Sequence, residues 1–301
     1  MTKKSGTENK KFACFVLCHE RPENTPTIQT LRDYGYTGDI YIILDDKDSM
    51  IAQYHKNFPT CKIEVFSKSE IASSFDIMDS STNDRCAVYA RNACFDIAEK
   101  NNLDYFCELD DDYTTIPYRY VEDKICYRSK SANLDAVFEA YINFMESSES
   151  IYSVAFGQPG DFIGGSGSQL VKNKYIRKCM NSWICKTTRR FVFNGRMNDD
   201  VNTYCLYGSI GKLFYTFDFI MIDQPETQQV KGGMTDMYKG NGTYMKSFYT
   251  VMLCPSFVKI SVMGDRHYRI HHSINYNGGV PKLISSRFKK GEIYETDNQN
   301  N

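Results

Sequence analysis

Short apolar runs of strand length alternate with helical patterns through the first half of the chain, and each run ends in polar or acidic residues. Phe12–Cys18 precedes a polar turn, Asp39–Leu44 ends in an acidic turn, and Asp104–Leu109 leads into three consecutive aspartates. Apolar residues at helical spacing separate the runs. The alternation predicts an α/β protein with a largely parallel, doubly wound sheet, in which ligands collect at the carboxyl ends of strands.

The length of 301 residues and the apolar content of 42% suit one large domain with a sizeable core. Residues 190–193, 213–222 and 250–263 form strand-like runs in the second half, where glycine-rich turns become frequent. We expect one domain made of two halves, residues 12–161 and 162–290. The predicted disordered tails are residues 1–11 and 291–301.

The charge is distributed unevenly between these halves. Residues 1–161 carry 17 Lys and Arg against 27 Asp and Glu, whereas residues 162–301 carry 19 against 10. The formal charges are therefore about −10 and +9, although the whole chain is nearly neutral. This pattern favours an acidic half organised around cations and a basic half that faces an anion, and a solvated surface without a partner is the alternative.

Cysteine and apolar patterns indicate the compartment. The eleven cysteines lie scattered in apolar segments without a CxxC pair, which predicts buried free thiols in a reducing environment and makes a zinc site unexpected. The apolar run at residues 12–18 is far shorter than the about 20 residues that cross a membrane as a helix. We expect a cytoplasmic protein without a membrane partner.

The strongest local feature is the run Asp110-Asp111-Asp112 directly after an apolar strand. Three adjacent carboxylates repel one another unless a cation neutralises them, so a divalent ion is the natural partner. An acidic surface turn is the alternative. The position at a strand end favours the metal.

Four elements in this order resemble the inverting nucleotide-sugar transferases typified by the family 2 glycosyltransferases. They are His19-Glu20-Arg21-Pro22, Asp45-Asp46, Ala90-Arg91-Asn92 and Asp110-Asp111-Asp112. The resemblance implies the glycosyltransferase A-type, Rossmann-like fold with a mixed central sheet, and residues 12–161 as its nucleotide-sugar-binding half. It implies that the donor, a UDP-sugar on the strength of Asp45-Asp46, is bound by Arg21, Asp45, Asp46, Arg91, Asp110 and Asp111. It also implies that Asp110 and Asp112 ligate Mn²⁺ or Mg²⁺.

A second acidic motif, Asn198-Asp199-Asp200-Val201-Asn202, is similar to the element that opens an acceptor-side helix in the same enzymes. An acceptor hydroxyl must lose its proton during an inverting attack, so a nearby carboxylate is required as a general base. We assign that role to Asp200, with Asp199 capping the helix or orienting the acceptor. Simple helix capping by an aspartate is the alternative.

The adjacent histidines His271 and His272 lie in a basic segment near the end of the chain. In several transferases of this fold a late histidine completes the metal shell, and neutral imidazole is a competent Mn²⁺ ligand. We expect one of the two to bind the metal, and a structural role is the alternative.

Two stretches, residues 162–198 and 266–291, contain cations and aromatic rings but no acidic residue. Cations interspersed with rings suit a polynucleotide. We therefore expect acceptor contacts from the following residues of the acceptor-binding half: Gly164, Gly165, Trp183, Arg189 and Arg190.

Four segments resemble the glycosyltransferases associated with TET/JBP dioxygenases, which include the base J glucosyltransferase and phage relatives. These segments are Cys107–Tyr113, Gly164-Gly165, Asn198–Asn202 and Gly232–Asp236. The resemblance implies transfer of a sugar to the hydroxymethyl oxygen of 5-hydroxymethyluracil or 5-hydroxymethylcytosine in DNA, in the host cytoplasm if the protein is phage-encoded.

Two other functions are compatible with parts of the sequence. A bacterial glycan or protein glycosyltransferase would use the same donor site, since a sugar acceptor needs aromatic rings but not the second basic stretch. An inert DNA-binding module could retain the fold, but the intact Asp110-Asp111-Asp112 and Asp199-Asp200 motifs argue against it.

Overall fold

The computed structural model describes residues 10–122, 125–130, 133–158, 165–172, 179, 181–224, 245–263 and 268–279. Several predicted features lie outside the described residues. They are residues 1–9 and 291–301 of the two tails, Gly164, the Gly232–Asp236 segment and the glycine turn at residues 240–242.

The central sheet is mixed and contains nine strands of the described chain, in the order β3-β2-β1-β4-β8-β7-β9-β5-β6. They are β1 (Phe12–Leu17), β2 (Asp39–Asp45), β3 (Lys62–Phe66), β4 (Tyr105–Asp110), β5 (Pro117–Glu122), β6 (Ile125–Lys130), β7 (Ile151–Gly157), β8 (Ser182–Lys186) and β9 (Leu213–Met221). Two further strands, β10 (Val258–Met263) and β11 (Arg269–Ile274), pair antiparallel in a separate ribbon.

Helices lie between the strands as the alternating pattern predicted. They are α1 (Pro26–Asp33), α2 (Ile51–Asn57), α3 (Lys68–Ala72), α4 (Val88–Lys100), α5 (Leu134–Glu146), α6 (Gln169–Lys172), α7 (Asp199–Ser209), α8 (residues 245–253) and α9 (Tyr276–Gly279). Among the described residues, no helix combines the length and apolar character needed to span a membrane.

Two hydrophobic cores cover the two faces of the sheet, because successive strand residues point to opposite sides. Phe15 and Leu17 of β1 join the core beneath α4 and α7, whereas Cys14 and Val16 join the core beneath α1 and α5. A strand buried on both faces must be apolar at nearly every position, which explains the continuous apolar run of β1. The predicted α/β class with a mixed central sheet is confirmed.

The sheet is parallel only in part. Strands β3, β2, β1 and β4 run parallel, but β8 pairs antiparallel with both β4 and β7, and β5 pairs antiparallel with β9. The expectation of a largely parallel sheet therefore holds for β1 to β4 but not for the whole first half, because β5 and β6 pair antiparallel with each other. Strands of both halves share one sheet.

One predicted strand of the second half is wrong, and another begins later than predicted. Residues 190–193 have no regular secondary structure, and their apolar pattern arises because Phe191 and Phe193 pack against the ring of Trp183. Residues 250–253 belong to α8, where Thr250 and Cys254 are buried at helical spacing, and the strand begins only at Val258.

The register brings the carboxyl ends of the parallel strands to one edge of the sheet. Leu17 of β1 is level with Ile43 of β2 and with Asp110 of β4, and Asp45 is level with Phe66 of β3. Side chains that follow these strands therefore lie close together, as expected for ligand sites in such sheets.

Candidate active site

A pocket of about 350 Å³ opens at this edge of the sheet. Its walls include six residues that the sequence predicted for donor or metal binding: Arg21, Asp45, Arg91, Asp110, Asp111 and Asp112. The structure also places His19 and Glu20, which precede Arg21 in its motif, in the pocket wall, together with Lys68 and Arg85, which the motifs did not indicate. The pocket therefore mixes acidic and basic groups.

The triple aspartate turn is held in place by the start of α1. The Thr27 hydroxyl donates to the carbonyl oxygen of Asp110 at 2.7 Å and accepts from the Tyr113 N–H at 2.8 Å. The Thr30 hydroxyl donates to the carbonyl oxygen of Tyr113 at 2.9 Å. These contacts fix the backbone on both sides of Asp111 and Asp112, so their carboxylates are presented in a defined arrangement.

Asp111 is nearly buried and is paired with Arg21. Arg21 Nη2 donates to Asp111 Oδ1 at 2.6 Å, and the Asp111 side chain is 2% exposed. Burial raises the pKa of Asp111 to about 7 despite the opposing effect of Arg21, with Asp110 and Asp112 adding to the increase. Arg21 and Asp111 thus line the pocket while binding each other.

Asp110 and Asp112 are the more accessible acids of the motif. The Asp110 side chain is 31% exposed and accepts a hydrogen bond from Arg91 Nη2 at 3.2 Å. Burial and the neighbouring Asp110 raise the pKa of Asp112 to about 6. Within the described chain Asp112 makes no ion pair or side-chain hydrogen bond.

Arg91 connects this motif to the second acidic motif. Its side chain is 5% exposed and projects from α4, with Nη2 toward Asp110 and Nε 3.0 Å from Asp199 Oδ2. The ring of Phe193 lies 5.8 Å from the guanidinium carbon. One buried cation therefore contacts a carboxylate of each acidic motif.

The second motif opens α7, but its N-cap residue is Asn198 and not Asp199. Asn198 has a left-handed φ of 56°, and its side-chain amide reaches the Lys246 carbonyl oxygen at 2.8 Å. Asp199 and Asp200 are the first two residues of the helix. Burial raises the pKa of Asp199 to about 6, the Arg91 charge opposes this, and Asp200 adds to it.

Asp45 lies in a cluster with two cationic groups. Lys68 Nζ and His19 Nδ1 are each 3.0 Å from Asp45 Oδ2, and the side chains of Asp45 and Lys68 are nearly buried. Burial alone would raise the pKa of Asp45, but the hydrogen bonds from His19 and Lys68 outweigh it and lower the value to about 2. Asp46 is exposed, and its carboxylate accepts the Lys68 backbone N–H at 3.1 Å, so it stabilises the turn into α3 outside the pocket wall.

The acids around Arg91 fit a divalent cation that is shared with a phosphate ligand. Fully ionised Asp110, Asp111, Asp112 and Asp199 outweigh the charges of Arg21 and Arg91 by two. Mg²⁺ is commonly bound by one or two carboxylates together with substrate phosphates and water. Asp110 and Asp112 supply such carboxylates, although no group of three or more acidic, His or Cys side chains forms a complete metal site in the described chain.

The predicted histidine ligands are placed elsewhere. His272 is buried with Nδ1 3.2 Å from the Asn198 side-chain nitrogen, and it supports the start of α7. His271 lines a small pocket with Lys246 and Arg269, whose positive charges oppose metal binding. Neither histidine joins Asp110 and Asp112 in a metal-binding group within the described residues.

The predicted acceptor contacts are not gathered at the pocket either. Trp183 is fully buried in β8, so its ring is a core residue. Arg189 Nη1 donates to the carbonyl oxygens of Met145, Ser148 and Ile151, and Arg190 pairs with Asp96 and Glu99 of α4. Gly165 is buried at the start of a 3-10 turn and has a φ of 58°.

The most informative residue that the motifs did not indicate is Glu108. It is a fully buried acid of β4, two residues before Asp110 and on the same face of the strand, with Oε2 3.8 Å from Arg91 Nη1. Burial raises the pKa of Glu108 well above its usual range. The sequence did contain a signal for this residue, since an acid within an apolar strand, two residues before a predicted metal motif, is unusual.

An acid-lined pocket lies at the carboxyl edge of the parallel strands, and Arg91 connects it to a second pair of acids. Together with the sequence family, this site defines a sugar-transferring class of enzyme. The family model for TET-Associated Glycosyltransferase matches residues 12–233, so the chain belongs to this family and is a glycosyltransferase. No curated protein sequence matches the chain significantly.

Solved structures with a related overall shape are glucosyl-3-phosphoglycerate synthases from Mycobacterium tuberculosis. The complex with Mn²⁺, UDP and phosphoglyceric acid is 7% identical, with a TM-score of 0.46 over 88% of this chain and 87% of that chain. The complex with Mg²⁺ and UDP is also 7% identical, with a TM-score of 0.43 over 88% of each chain.

Proposed function

We propose that the protein transfers a sugar from a UDP-sugar to the hydroxymethyl oxygen of a modified pyrimidine in DNA, with inversion and with Mn²⁺ or Mg²⁺. The observation that carries the proposal is the contact of Arg91 with both Asp110 and Asp199. It joins a carboxylate suited to a metal-bound donor to a carboxylate suited to acceptor activation. Both functions are needed at one place for direct sugar transfer.

The donor would occupy the pocket at the carboxyl edge of the sheet. Its nucleoside would approach Asp45, and its diphosphate would approach Asp110 and Asp112. A metal ion bound there would stabilise the charge that develops on the leaving diphosphate. Arg85 lines the pocket with a 58% exposed side chain and pairs with Glu20 at 3.5 Å, and it would turn from Glu20 to contact the same anion.

The general base is one of the two acids that open α7. The sequence favours Asp200, whereas the contacts favour Asp199, because Arg91 fixes it beside Asp110. The pKa of about 6 also suits Asp199 to accept a proton near neutral pH. Asp199 is therefore the proposed base, and Asp200 is the alternative that its own variant tests.

Membership of the TET-associated family supports a DNA base as the acceptor. The charge pattern supports it less than the sequence suggested, because four cations of residues 162–198 are bound within the protein. Lys186 pairs with Glu146, Arg196 pairs with Asp79, and Arg189 and Arg190 bind the groups described above. The DNA assignment therefore depends chiefly on the family.

A transfer assay tests the acceptor. The purified protein is incubated with Mn²⁺ and a panel of nucleotide sugars, together with duplex or single-stranded oligonucleotides containing 5-hydroxymethyluracil or 5-hydroxymethylcytosine. Identical oligonucleotides with thymine or cytosine are the matched controls. Mass spectrometry should find a sugar only on the hydroxymethylated strands.

Glycans and peptides in the same assay test the alternative acceptor class. Labelling of these molecules without labelling of hydroxymethylated DNA would overturn the DNA acceptor and leave the donor site intact. Labelling of the control oligonucleotides would instead overturn the hydroxymethyl group as the site of attachment.

A further inference from the structure

Glu108 occupies a position in the core where an acidic side chain is unfavourable. It is fully buried in β4, level with Phe15 of β1 on one side and Trp183 of β8 on the other. In the described chain neither carboxylate oxygen receives a hydrogen bond from a nitrogen or oxygen donor. Arg91 Nη1 is 3.8 Å away, and the Cys94 thiol lies alongside.

Burial of a poorly satisfied carboxyl group destabilises a folded protein, and well-packed apolar residues often replace buried ion pairs without loss of stability. A leucine would fit the apolar surroundings of Glu108 better than the acid does. The stability of the fold therefore does not explain why β4 carries an acid here.

The neighbours of Arg91 give a functional explanation. Its guanidinium lies among three acids, with Nε 3.0 Å from Asp199, Nη2 3.2 Å from Asp110 and Nη1 3.8 Å from Glu108. Of these contacts in the described chain, the one from Nη2 to Asp110 is a hydrogen bond, and the other two are ion pairs. Without the negative charge of Glu108 behind Nη1, the group can rotate toward Asp110 and leave Asp199. A planar fork is oriented only when its several donors face fixed acceptors.

We propose that Glu108 is a positioning residue, which holds the guanidinium of Arg91 so that it contacts Asp110 and Asp199 together. The proposal rests on the proposed function, since its consequence is the relative placement of donor and base. Glu108 touches neither donor nor acceptor, and it acts only through Arg91.

The variants Glu108→Leu and Glu108→Gln separate this role from a structural one. Glu108→Leu should lower kcat by about 10- to 100-fold, since small displacements at a reacting centre have effects of this size. The KM for the donor should change by less than about 3-fold, because the donor pocket itself is intact. Glu108→Gln keeps an oxygen with a partial negative charge, so it should restore most of kcat.

The melting temperature provides the contrasting readout. Glu108→Leu should leave Tm unchanged or raise it while activity falls, because the variant removes a buried acid without a hydrogen bond and Arg91 keeps Asp110 and Asp199 as ionic partners. Asp48→Leu is the matched control, because Asp48 is a buried acid whose oxygens accept the backbone N–H groups of Glu20 and Met50 at 2.8 and 2.7 Å. It should lower Tm, as expected for a structural carboxylate.

An NMR experiment tests the same geometry without any turnover. In protein labelled with ¹⁵N-arginine, the Arg91 Nε–H signal, assigned by its loss in Arg91→Lys, should exchange slowly in the wild type and in Glu108→Gln. It should exchange quickly in Glu108→Leu. Absence of wild-type transfer with every acceptor would count against the proposed function, whereas the NMR result would still decide the role of Glu108.

Three results would overturn the positioning role. They are an unchanged kcat and Arg91 signal in Glu108→Leu, equal damage in Glu108→Gln and Glu108→Leu, and a lower Tm or failure to fold in Glu108→Leu. The last result would show that the acid supports the fold itself.

Discussion

Arg91 Nε lies 3.0 Å from Asp199 Oδ2, and this ion pair connects α4 to the first turn of α7. The same guanidinium reaches Asp110 at the end of β4. Two acidic motifs that are far apart in the sequence are thereby fixed to one buried side chain. Because both motifs contact this one side chain, the conformation of Arg91 sets their relative placement.

Replacement of Arg91 by Met should therefore affect both stability and transfer. The variant leaves Asp199 and Asp110 without their cation, and removal of one partner from a buried ion pair costs about 3–5 kcal/mol. Transfer should fall by at least about 100-fold, because the base and the donor lose their common anchor. Urea denaturation and initial rates with saturating donor measure the two effects.

Lys62→Met is the control for Arg91→Met. Lys62 pairs with Asp39 at 2.6 Å, but both side chains are more than half exposed and lie outside the pocket wall. Such surface pairs contribute up to about 1 kcal/mol, so stability should change little and transfer should stay normal. Equal effects of the two variants would contradict the role of Arg91.

Asp112→Asn should abolish metal-dependent donor binding. Asp112 is an accessible carboxylate of the triple motif with no basic partner in the described chain, so it is the acid most available to a cation. Loss of a ligand should weaken Mn²⁺-dependent UDP binding by at least about 100-fold. Isothermal titration with UDP, with and without Mn²⁺, measures this, and Asp39→Asn is a surface control that should bind normally.

The sequence predicted which residues meet at the carboxyl edge of the sheet better than it predicted the other side of the site. Asp45 and the triple aspartate lie together because parallel strands end at one edge of a sheet, and that rule needs only the strand positions. Arg91 of α4 was indicated only by the family resemblance, and Asp46 lies outside the pocket wall. The order of the motifs added Arg21, which the structure brings to Asp111. For these residues the local sequence motifs and the order of the strands lead to the same placement.

The acceptor side could not be predicted in the same way, because charge along a sequence does not reveal its partners. Arg189 is bound by three carbonyl oxygens at the end of α5 and the start of β7, and Arg190 by acids of α4. The sequence pattern predicted that Trp183 stacks on a ligand, but β8 lies between β4 and β7 and buries the ring. The contacts of Trp183 follow from the position of β8 as an antiparallel strand between β4 and β7, and the sequence pattern did not indicate that position.

The variants Asp199→Asn and Asp200→Asn should differ in their effect on transfer. Each amide keeps the shape of the acid but cannot accept the acceptor proton, so the variant of the true base should lose transfer by about 100- to 10,000-fold. Because Asp199 is fixed by Arg91, we expect the large loss for Asp199→Asn and a smaller one for Asp200→Asn. Both should bind UDP and Mn²⁺ as the wild type does, and the reverse order of transfer losses would assign the base to Asp200.

The free energy of unfolding should depend on pH because Asp111 and Asp112 lie close together, and a bound cation should reduce their repulsion. Asp111 and Asp112 have pKa values of about 7 and 6 in the folded protein, against an ordinary value of 3.8. A carboxyl group with a raised folded pKa binds its proton more tightly in the folded state, so stability falls as the pH rises from about 4 to 7. Asp45, with a pKa of about 2, contributes stability that is lost only as the pH falls below about 4, so it does not cancel this trend.

Urea denaturation of the metal-free protein at pH 5, 6 and 7 should therefore give decreasing free energies of unfolding, by up to a few kcal/mol, since one pH unit between the two pKa values corresponds to about 1.4 kcal/mol. Mn²⁺ with UDP should stabilise the protein more at pH 7 than at pH 5, because the ionised acids bind the cation. Asp111→Asn removes one of the titrating groups, which also include Asp112 and Asp199, and should make the metal-free profile flatter. A metal-free stability that increases steadily from pH 5 to 7 would show that these acids are ionised at little cost, and that a bound cation is not what balances them.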